Sequence, residues 1–256
     1  MKRVGIFIYG IVSYVISLGC FAYLAGFLIN VGVTTAIDGE PTIPFGWAAL
    51  INAGLVALFG IQHSVMARPG FKQWWTKYVP KAAERSTYMV FSCIALAVLF
   101  AFWQPMGGTI WNVTDPAGQI ALYTIYAFGW ALVLVTTFVI NHFDLFGLRQ
   151  VWLHLRGKEY TQLKFVTPGL YRVVRHPLYV GWLIVFWATP TMTAAHLVFA
   201  VAMAAYILIA IRYEERDLVM FHGEDYTEYR KRVPKLNPFG KRDNAVIGQP
   251  ATVDQA

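Results

Sequence analysis

Residues 169–182 read G-L-Y-R-V-V-R-H-P-L-Y-V-G-W, residues 212–217 read R-Y-E-E-R-D, and residues 224–234 read E-D-Y-T-E-Y-R-K-R-V-P. Between the first two stretches lies an apolar segment interrupted by the turn residues Pro190-Thr191-Met192-Thr193. Two apolar arms around a tight turn predict a helical hairpin over 178–189 and 194–212, which returns the chain to the side it left. Arg175–His176 at the entrance and Glu214–Glu215 at the exit are then expected to meet at one membrane face, as a cofactor site. The first arm is too short to cross a ~30 Å hydrocarbon core unaided. Either its helix begins near Tyr171 and is kinked by Pro177, or the hairpin is shallow.

Composition sets the class. The chain of 256 residues is 57% hydrophobic and only 14% charged, where soluble domains carry about 25% charged residues. Mean hydropathy is +0.49. Apolar runs near the length a bilayer requires recur over 4–30, 45–66, 87–103 and 120–142. The expected fold is all-α: a polytopic transmembrane helical bundle with a C-terminal helical hairpin and a cytoplasmic amphipathic tail. No long polar segment separates the spans. Residues 1–240 therefore read as a single membrane-embedded domain, followed by a disordered polar tail over 241–256.

All 21 Lys and Arg fall on the side of the N-terminus, and the two opposite loops have none. By the positive-inside rule that side is the cytoplasm, which puts the protein in the inner (plasma) membrane with both termini cytoplasmic. The net charge of +7 flanks spans and gives no reason to expect nucleic acid. Cys20 and Cys93 lie in apolar spans and read as packing residues, neither a disulfide framework nor a metal motif.

Ionisable residues that recur at membrane depth carry the functional expectation. Pro177 restricts His176 before it, so Arg175 and His176 are presented at a helix start, where free N–H groups favour anions. Glu214 and Glu215 are unfavourable so near a helix C-terminus unless they have partners. One carboxylate suits a ribose diol or an amine; the other suits an arginine. Tyr226 and Tyr229 share a helical face, as a surface helix or a pocket lid. Asn141-His142-x-Asp144 and Arg149 end the fourth span, where they either line a substrate pocket or cap a helix. The segment 141–160 that contains them has near-helical apolar spacing and is expected at the interface or tucked under the bundle. His63, His142 and His176 have no ligand spacing, so no metal site is expected. Dinucleotide, P-loop and zincin motifs are missing, so a nucleotide-like cofactor would need a helical site.

At these residues the sequence resembles a known group. R-H-P-L-Y-V-G, the later E-E and the Y-x-x-Y-x-x-x-V-P tail resemble the isoprenylcysteine carboxyl methyltransferase and phospholipid methyltransferase superfamily, over about the last third of the chain. I-Q-H-S-V-M-A-R-P-G-F-K, E-R-S-T-Y and N-H-F-D-L-F-G-L-R-Q-V-W are similar to the methanethiol S-methyltransferase and NnrU-like family, which extends the likeness to nearly the whole chain. The resemblance implies an integral-membrane enzyme that uses S-adenosylmethionine to methylate methanethiol to dimethyl sulfide. Carried over by motif, it implies cofactor contacts from Arg175, His176, Tyr179, Glu214, Glu215, Tyr226 and Tyr229, with Gly181 permitting close approach.

The reaction so implied needs a thiolate, because the thiol itself is a poor nucleophile. His142, oriented by Asp144, is the candidate base, and Arg149 the candidate partner of the thiolate. Phe143, Phe146 and Trp182 are expected to close a small apolar pocket open to lipid. Two other readings stand beside this one: a methyltransferase for a larger lipid or isoprenylcysteine-type substrate, and a non-enzymatic NnrU-like accessory protein that binds a metal or haem through histidines.

Overall fold

The computed structural model describes residues 2–242, and the tail expected over 241–256 falls, from 243 onward, outside the described residues. The first span is helix α1, Lys2–Ile29, which stops at Asn30 with φ 59. Helix α2, Phe45–Ala67, ends where Pro69 forces Arg68 into an extended conformation (φ −73, ψ 142), and Pro69 then opens the short helix α3, Pro69–Trp75. Helix α4, Glu84–Phe102, follows a single 3-10 turn over Lys81–Ala83. Helix α5, Pro116–Ile140, has proline in its first turn and the Asp115 carboxylate accepting from the Gly118 N–H at 2.9 Å. Two short helices follow, α6 (His142–Leu145) and α7 (Leu148–Leu155).

The hairpin is built from α8, Pro177–Trp187, and α9, Ala194–His222, after which α10 covers Glu224–Arg232. Pro177 opens α8 and does not kink a longer helix; the preceding 3-10 turn, Gly169–Arg172, is separate. Eleven residues rise only about 16 Å at ~1.5 Å each. The non-helical residues that complete the arm, 188–193, extend it by as much as ~20 Å. The second arm is longer than the sequence pattern predicts. It runs through Glu214–Glu215 to His222 and stops at Gly223, whose φ of +54 ends the helix. The two carboxylates therefore sit well inside a helix, away from the C-terminal dipole end.

Among the described residues, five helices are long and apolar enough to cross a membrane, over Lys2–Ile29, Phe45–Ala67, Lys81–Phe102, Pro116–Ile140 and Ala194–His222, with α8 as a shorter apolar helix. This is the all-α polytopic bundle the composition predicts. Apolar periodicity does not reveal a small ribbon at the far end, where β1 (Thr109–Asn112) pairs antiparallel with β2 (Thr191–Thr193). The ribbon joins the loop before α5 to the hairpin tip, and Trp111 Nε1–H donates to the Thr189 carbonyl at 3.0 Å.

Helices α5 and α8 pack with little between them. A Cβ on Gly181 would stand 2.8 Å from Val133 Cγ2 and 3.1 Å from the Gly129 carbonyl oxygen, and one on Gly129 would meet Ile184 Cγ2 at 2.8 Å. Close backbone approach through small residues is how apolar helices associate where burial from water supplies no drive. Helix α7 is tucked against the lower end of α1, with buried Val151 filling the space over Gly10 and Trp152 beside Phe7. The C-terminal helix α10 folds back on α9: Tyr226, Tyr229 and Val233 pack on Phe165, Leu218 and Val219.

Candidate active site

The hairpin brings its two ends together. Arg175 is buried, and its Nε donates to Glu215 Oε1 at 2.8 Å. Its Nη1 donates to the carbonyls of Arg230 (2.9 Å) and Val233 (2.8 Å). Backbone bonds reinforce the joint, Arg175 N–H to Pro234 O at 2.9 Å and His176 N–H to Lys235 O at 3.2 Å. Glu215, also buried, meets His176 Nε2 at 3.0 Å on the same oxygen. A carboxylate accepts only, so that nitrogen carries the proton. Arg230 Nε and Lys235 Nζ lie 3.7 and 3.8 Å from Glu215 Oε2. The segment after α10 is thus fastened to the start of α8 by these hydrogen bonds, and the buried Arg175–Glu215 pair ties both to α9.

Glu214 has a different environment. Its side chain is 42% exposed. Tyr179 O–H donates to Glu214 Oε2 at 2.8 Å, and His176 Nδ1 lies 3.9 Å from the same oxygen. The His176 and Tyr179 rings stack at 5.5 Å. Of the two adjacent carboxylates, Glu215 is the internal partner and Glu214 is the one that faces outward with a fixed orientation.

Gly181 faces α5, as the Cβ distances above require; the close approach it permits is between helices. Tyr226 is almost fully buried, and burial first, then the Glu215 and Glu214 carboxylates, push its phenol pKa up. Tyr229 O–H donates to the Tyr171 carbonyl at 2.6 Å, and burial raises its phenol to about 12. Both tyrosines are buried side chains packed on Phe165, Leu218 and Val219.

His142 is buried at the start of α6, just after Asn141, whose φ 149 and ψ 89 are strained for a non-glycine residue and turn the chain beneath α5. Its Nδ1 lies 2.8 Å from Thr137 Oγ1 and its Nε2 2.8 Å from the Tyr14 hydroxyl. Asp144 does not orient this ring, contrary to the expectation from spacing. Its carboxylate accepts from Arg149 Nη1 at 3.0 Å and from Tyr160 O–H at 3.2 Å. Arg149 also donates to Thr161 at 2.9 and 2.8 Å, so it is held in the loop after α7. Burial lowers the His142 pKa from its ordinary value, which keeps the ring neutral at pH 7.

Phe146 and Trp182 join an aromatic path, Trp182 to Phe21 at 5.7 Å and Phe21 to Phe146 at 6.0 Å. Phe143 points away, 54% exposed. His63, His142 and His176 do not converge. His63 binds Ser92 Oγ (3.0 Å) and the Tyr88 hydroxyl (2.7 Å), away from the other two.

Spacing does not single out Tyr14 or Lys235. A single tyrosine within an apolar span gives no periodic signal, and the cations near Glu215 look like an ordinary solvated tail. The Arg68–Asp217 bridge (2.8 Å), which joins α2 to α9 near the site, was likewise hidden, because its partners are 149 positions apart.

Residues 119–225 match the model of the phospholipid methyltransferase family. The chain is 52% identical to a methanethiol S-methyltransferase of Crocosphaera subtropica, over 94% of this chain and 95% of that one. It is 48% identical to a methanethiol S-methyltransferase of Mycobacterium tuberculosis, over 94% and 99%. A more distant relative is nurim of Bos taurus, 28% identical over 71% of this chain and 76% of that one. No solved structure matches the chain.

Proposed function

The chain belongs to the methanethiol S-methyltransferase family, and we propose that it methylates a small thiol, methanethiol, to dimethyl sulfide with S-adenosylmethionine as donor. The observation that carries this reading is the outward-facing Glu214, fixed by Tyr179 beside the cations that surround Glu215. A half-exposed carboxylate next to several cations suits a ligand that has both an ammonium or ribose diol and a carboxylate. Glu214 and Tyr179 would take the diol or amine, and Lys235 with Arg230 the carboxylate. Arg175, His176 and Glu215 would hold the frame on which these groups sit, with Tyr226 and Tyr229 packed beneath it and Gly181 seating α8 on α5. When bound, the donor supplies an electrophilic sulfonium methyl.

The remaining work belongs to the chain. The two reactants must be held in line, which alone contributes on the order of 7–11 kcal/mol to such a step. The thiol must lose its proton, and buried, neutral His142 is the proposed acceptor, with Asp144–Arg149 fixing the helix ends around it. Phe146 and Trp182 would form the apolar wall against which a small thiol rests. We place the protein in the inner membrane with both termini cytoplasmic, so the donor comes from the cytoplasm and a lipid-soluble thiol from either side.

The test is purified protein with labelled S-adenosylmethionine and methanethiol, and headspace detection of labelled dimethyl sulfide. Parallel assays with prenylcysteine and phosphatidylethanolamine check substrate size; preference for either would overturn the small-thiol assignment.

A further inference from the structure

The hydrogen bonds around His142 have a direction that the side chains themselves determine. Thr137 Oγ1 donates its single proton to the Leu134 carbonyl at 2.7 Å. With its proton on the Leu134 carbonyl, the Thr137 oxygen accepts from His142, 2.8 Å away, and in this arrangement Nδ1 bears the proton. That leaves the lone pair on Nε2, and Tyr14 O–H donates to it at 2.8 Å. The ring cannot easily turn: Phe138 stacks on it at 4.2 Å and 5°, and Tyr14 meets it edge-on at 5.6 Å. The free lone pairs of Tyr14 Oη are then the remaining acceptor at the head of this chain.

We infer that Tyr14 is the catalytic residue that touches the thiol, and that it relays the thiol proton to His142. This rests on the thiol-methylation reading above. The thiol S–H bond breaks as its proton passes to Tyr14 Oη, while the Tyr14 proton passes to His142 Nε2. The result is a thiolate and an imidazolium whose two N–H groups donate to Tyr14 and Thr137. The thiolate sulfur bonds to the donor's methyl carbon, and the carbon–sulfonium bond breaks with its electron pair left on the departing sulfur. The site holds one positive charge before the step, on the sulfonium, and one after it, on the imidazolium. A low-dielectric site is spared any change in net charge, which is what makes a neutral buried histidine a suitable acceptor.

The place of Tyr14 supports the assignment. It packs edge-on to Phe146 at 5.5 Å, in a cluster with Phe21, Met66, Tyr88 and Met89. Phe21 continues that cluster to Trp182, one turn along α8 from Tyr179, which holds Glu214. The charged groups around His142 leave room for a new positive charge. Asp144 and Arg149 pair with each other, and Arg85 of α4 is turned to the Leu145 carbonyl at 2.8 Å. From α1 Tyr14 faces the ring, and from α5 Thr137 and Phe138 do.

A second chain of the same kind serves as the internal control. Tyr88 O–H meets His63 Nε2 at 2.7 Å, His63 Nδ1 meets Ser92 Oγ at 3.0 Å, and Ser92 donates to the Tyr88 carbonyl at 3.0 Å. There the Arg85 guanidinium lies 5.4 Å from the Tyr88 ring, so an imidazolium would form beside a fixed cation.

The experiment compares Tyr14→Phe, Thr137→Val, Thr137→Ser and Tyr88→Phe in detergent-purified protein. Tyr14→Phe is expected to bind S-adenosylmethionine as the wild type does, which shows that it is folded, and to lose kcat ~10²-fold or more near neutral pH. Its rate should then climb about tenfold per pH unit toward the thiol's own pKa, as solution thiolate replaces the relay. Thr137→Val should follow the same profile, Thr137→Ser should restore it, and Tyr88→Phe should keep the wild-type profile. Independently of turnover, ¹⁵N shifts of the His142 ring, assigned by comparison with His142→Gln, should show the Nδ1–H tautomer in the wild type. A wild-type pH profile in Tyr14→Phe, the loss appearing in Tyr88→Phe instead, or an Nε2–H tautomer would overturn the relay. Wild-type protein inert toward methanethiol would instead overturn the parent reading, and the relay with it.

Discussion

Glu214 and Glu215 are neighbours in sequence but stand in opposite environments, and the difference is geometric. Glu215 is buried against Arg175 and His176, with two more cations within 4 Å, whereas Glu214 is 42% exposed with one tyrosine bond. Removing one member of a buried pair leaves the other charge uncompensated, at a cost of about 3–5 kcal/mol. Glu215→Ala is therefore expected to lower the thermal midpoint and yield of the purified protein. Glu214→Gln should leave the midpoint nearly unchanged and raise the KM for the donor about tenfold, the loss of one charge-assisted hydrogen bond. A large stability loss in Glu214→Gln would contradict this division. His142 has a pH signature of its own. Burial sets its folded pKa below its unfolded value of ~6.5. The stability this neutral ring confers is thus present above pH ~6.5 and is lost as pH falls, because the unfolded chain binds the proton more readily. Thermal midpoints measured from pH 7.5 down to 5 should decline more steeply in the wild type than in His142→Gln.

At the scale of helices, sequence periodicity resolves whole spans better than the arms that build the site. Lys2–Ile29, Phe45–Ala67 and Pro116–Ile140 are visible as apolar runs because lipid contact demands apolar residues all round. The end of α9 is not visible in that way. Its last turns leave the apolar layer and become charged, yet no residue that breaks a helix occurs before Gly223. The motif order around Arg175 and Glu215 does disclose that these residues belong together, since both flank one apolar hairpin. It does not disclose that Arg175 turns to the carbonyls of Arg230 and Val233, because any carbonyl accepts equally well. Nor can spacing distinguish a glycine that faces a cofactor from one that faces a helix. Gly181 is of the second kind, and Gly181→Ala should force α8 off α5, since the new methyl would lie 3.0 Å from the Val133 backbone nitrogen. Overpacking of this kind costs about 1–3 kcal/mol. The expected result is a lower thermal midpoint together with weakened donor binding, because Tyr179 lies on the displaced helix. Unchanged donor affinity in this variant would separate α8 from the site.

For the molecule as a whole, the distribution of charge and the number of passes must agree. On the proposed topology, the five long apolar helices and the α8 arm make six passes, and the two ends of the described chain share one side. With that topology every Lys and Arg of the sequence falls on the side of those ends, and neither the loop before α2 nor the ribbon segment has any. The positive-inside rule supports the proposed cytoplasmic orientation, in which the Arg175–Glu215 joint would open toward the compartment that supplies a nucleotide-like donor. The opposite end is closed by the β1–β2 ribbon, which pins the hairpin tip to the loop before α5. In a variant lacking Cys20 and Cys93, a single cysteine at Asn112 should react with an impermeant maleimide added to intact cells. One at Lys158 should react only after the cells are opened. The reverse pattern would place Glu214 on the outer face, out of reach of any cytoplasmic donor, and the proposed reaction would have to be abandoned even with every hydrogen bond of the site intact.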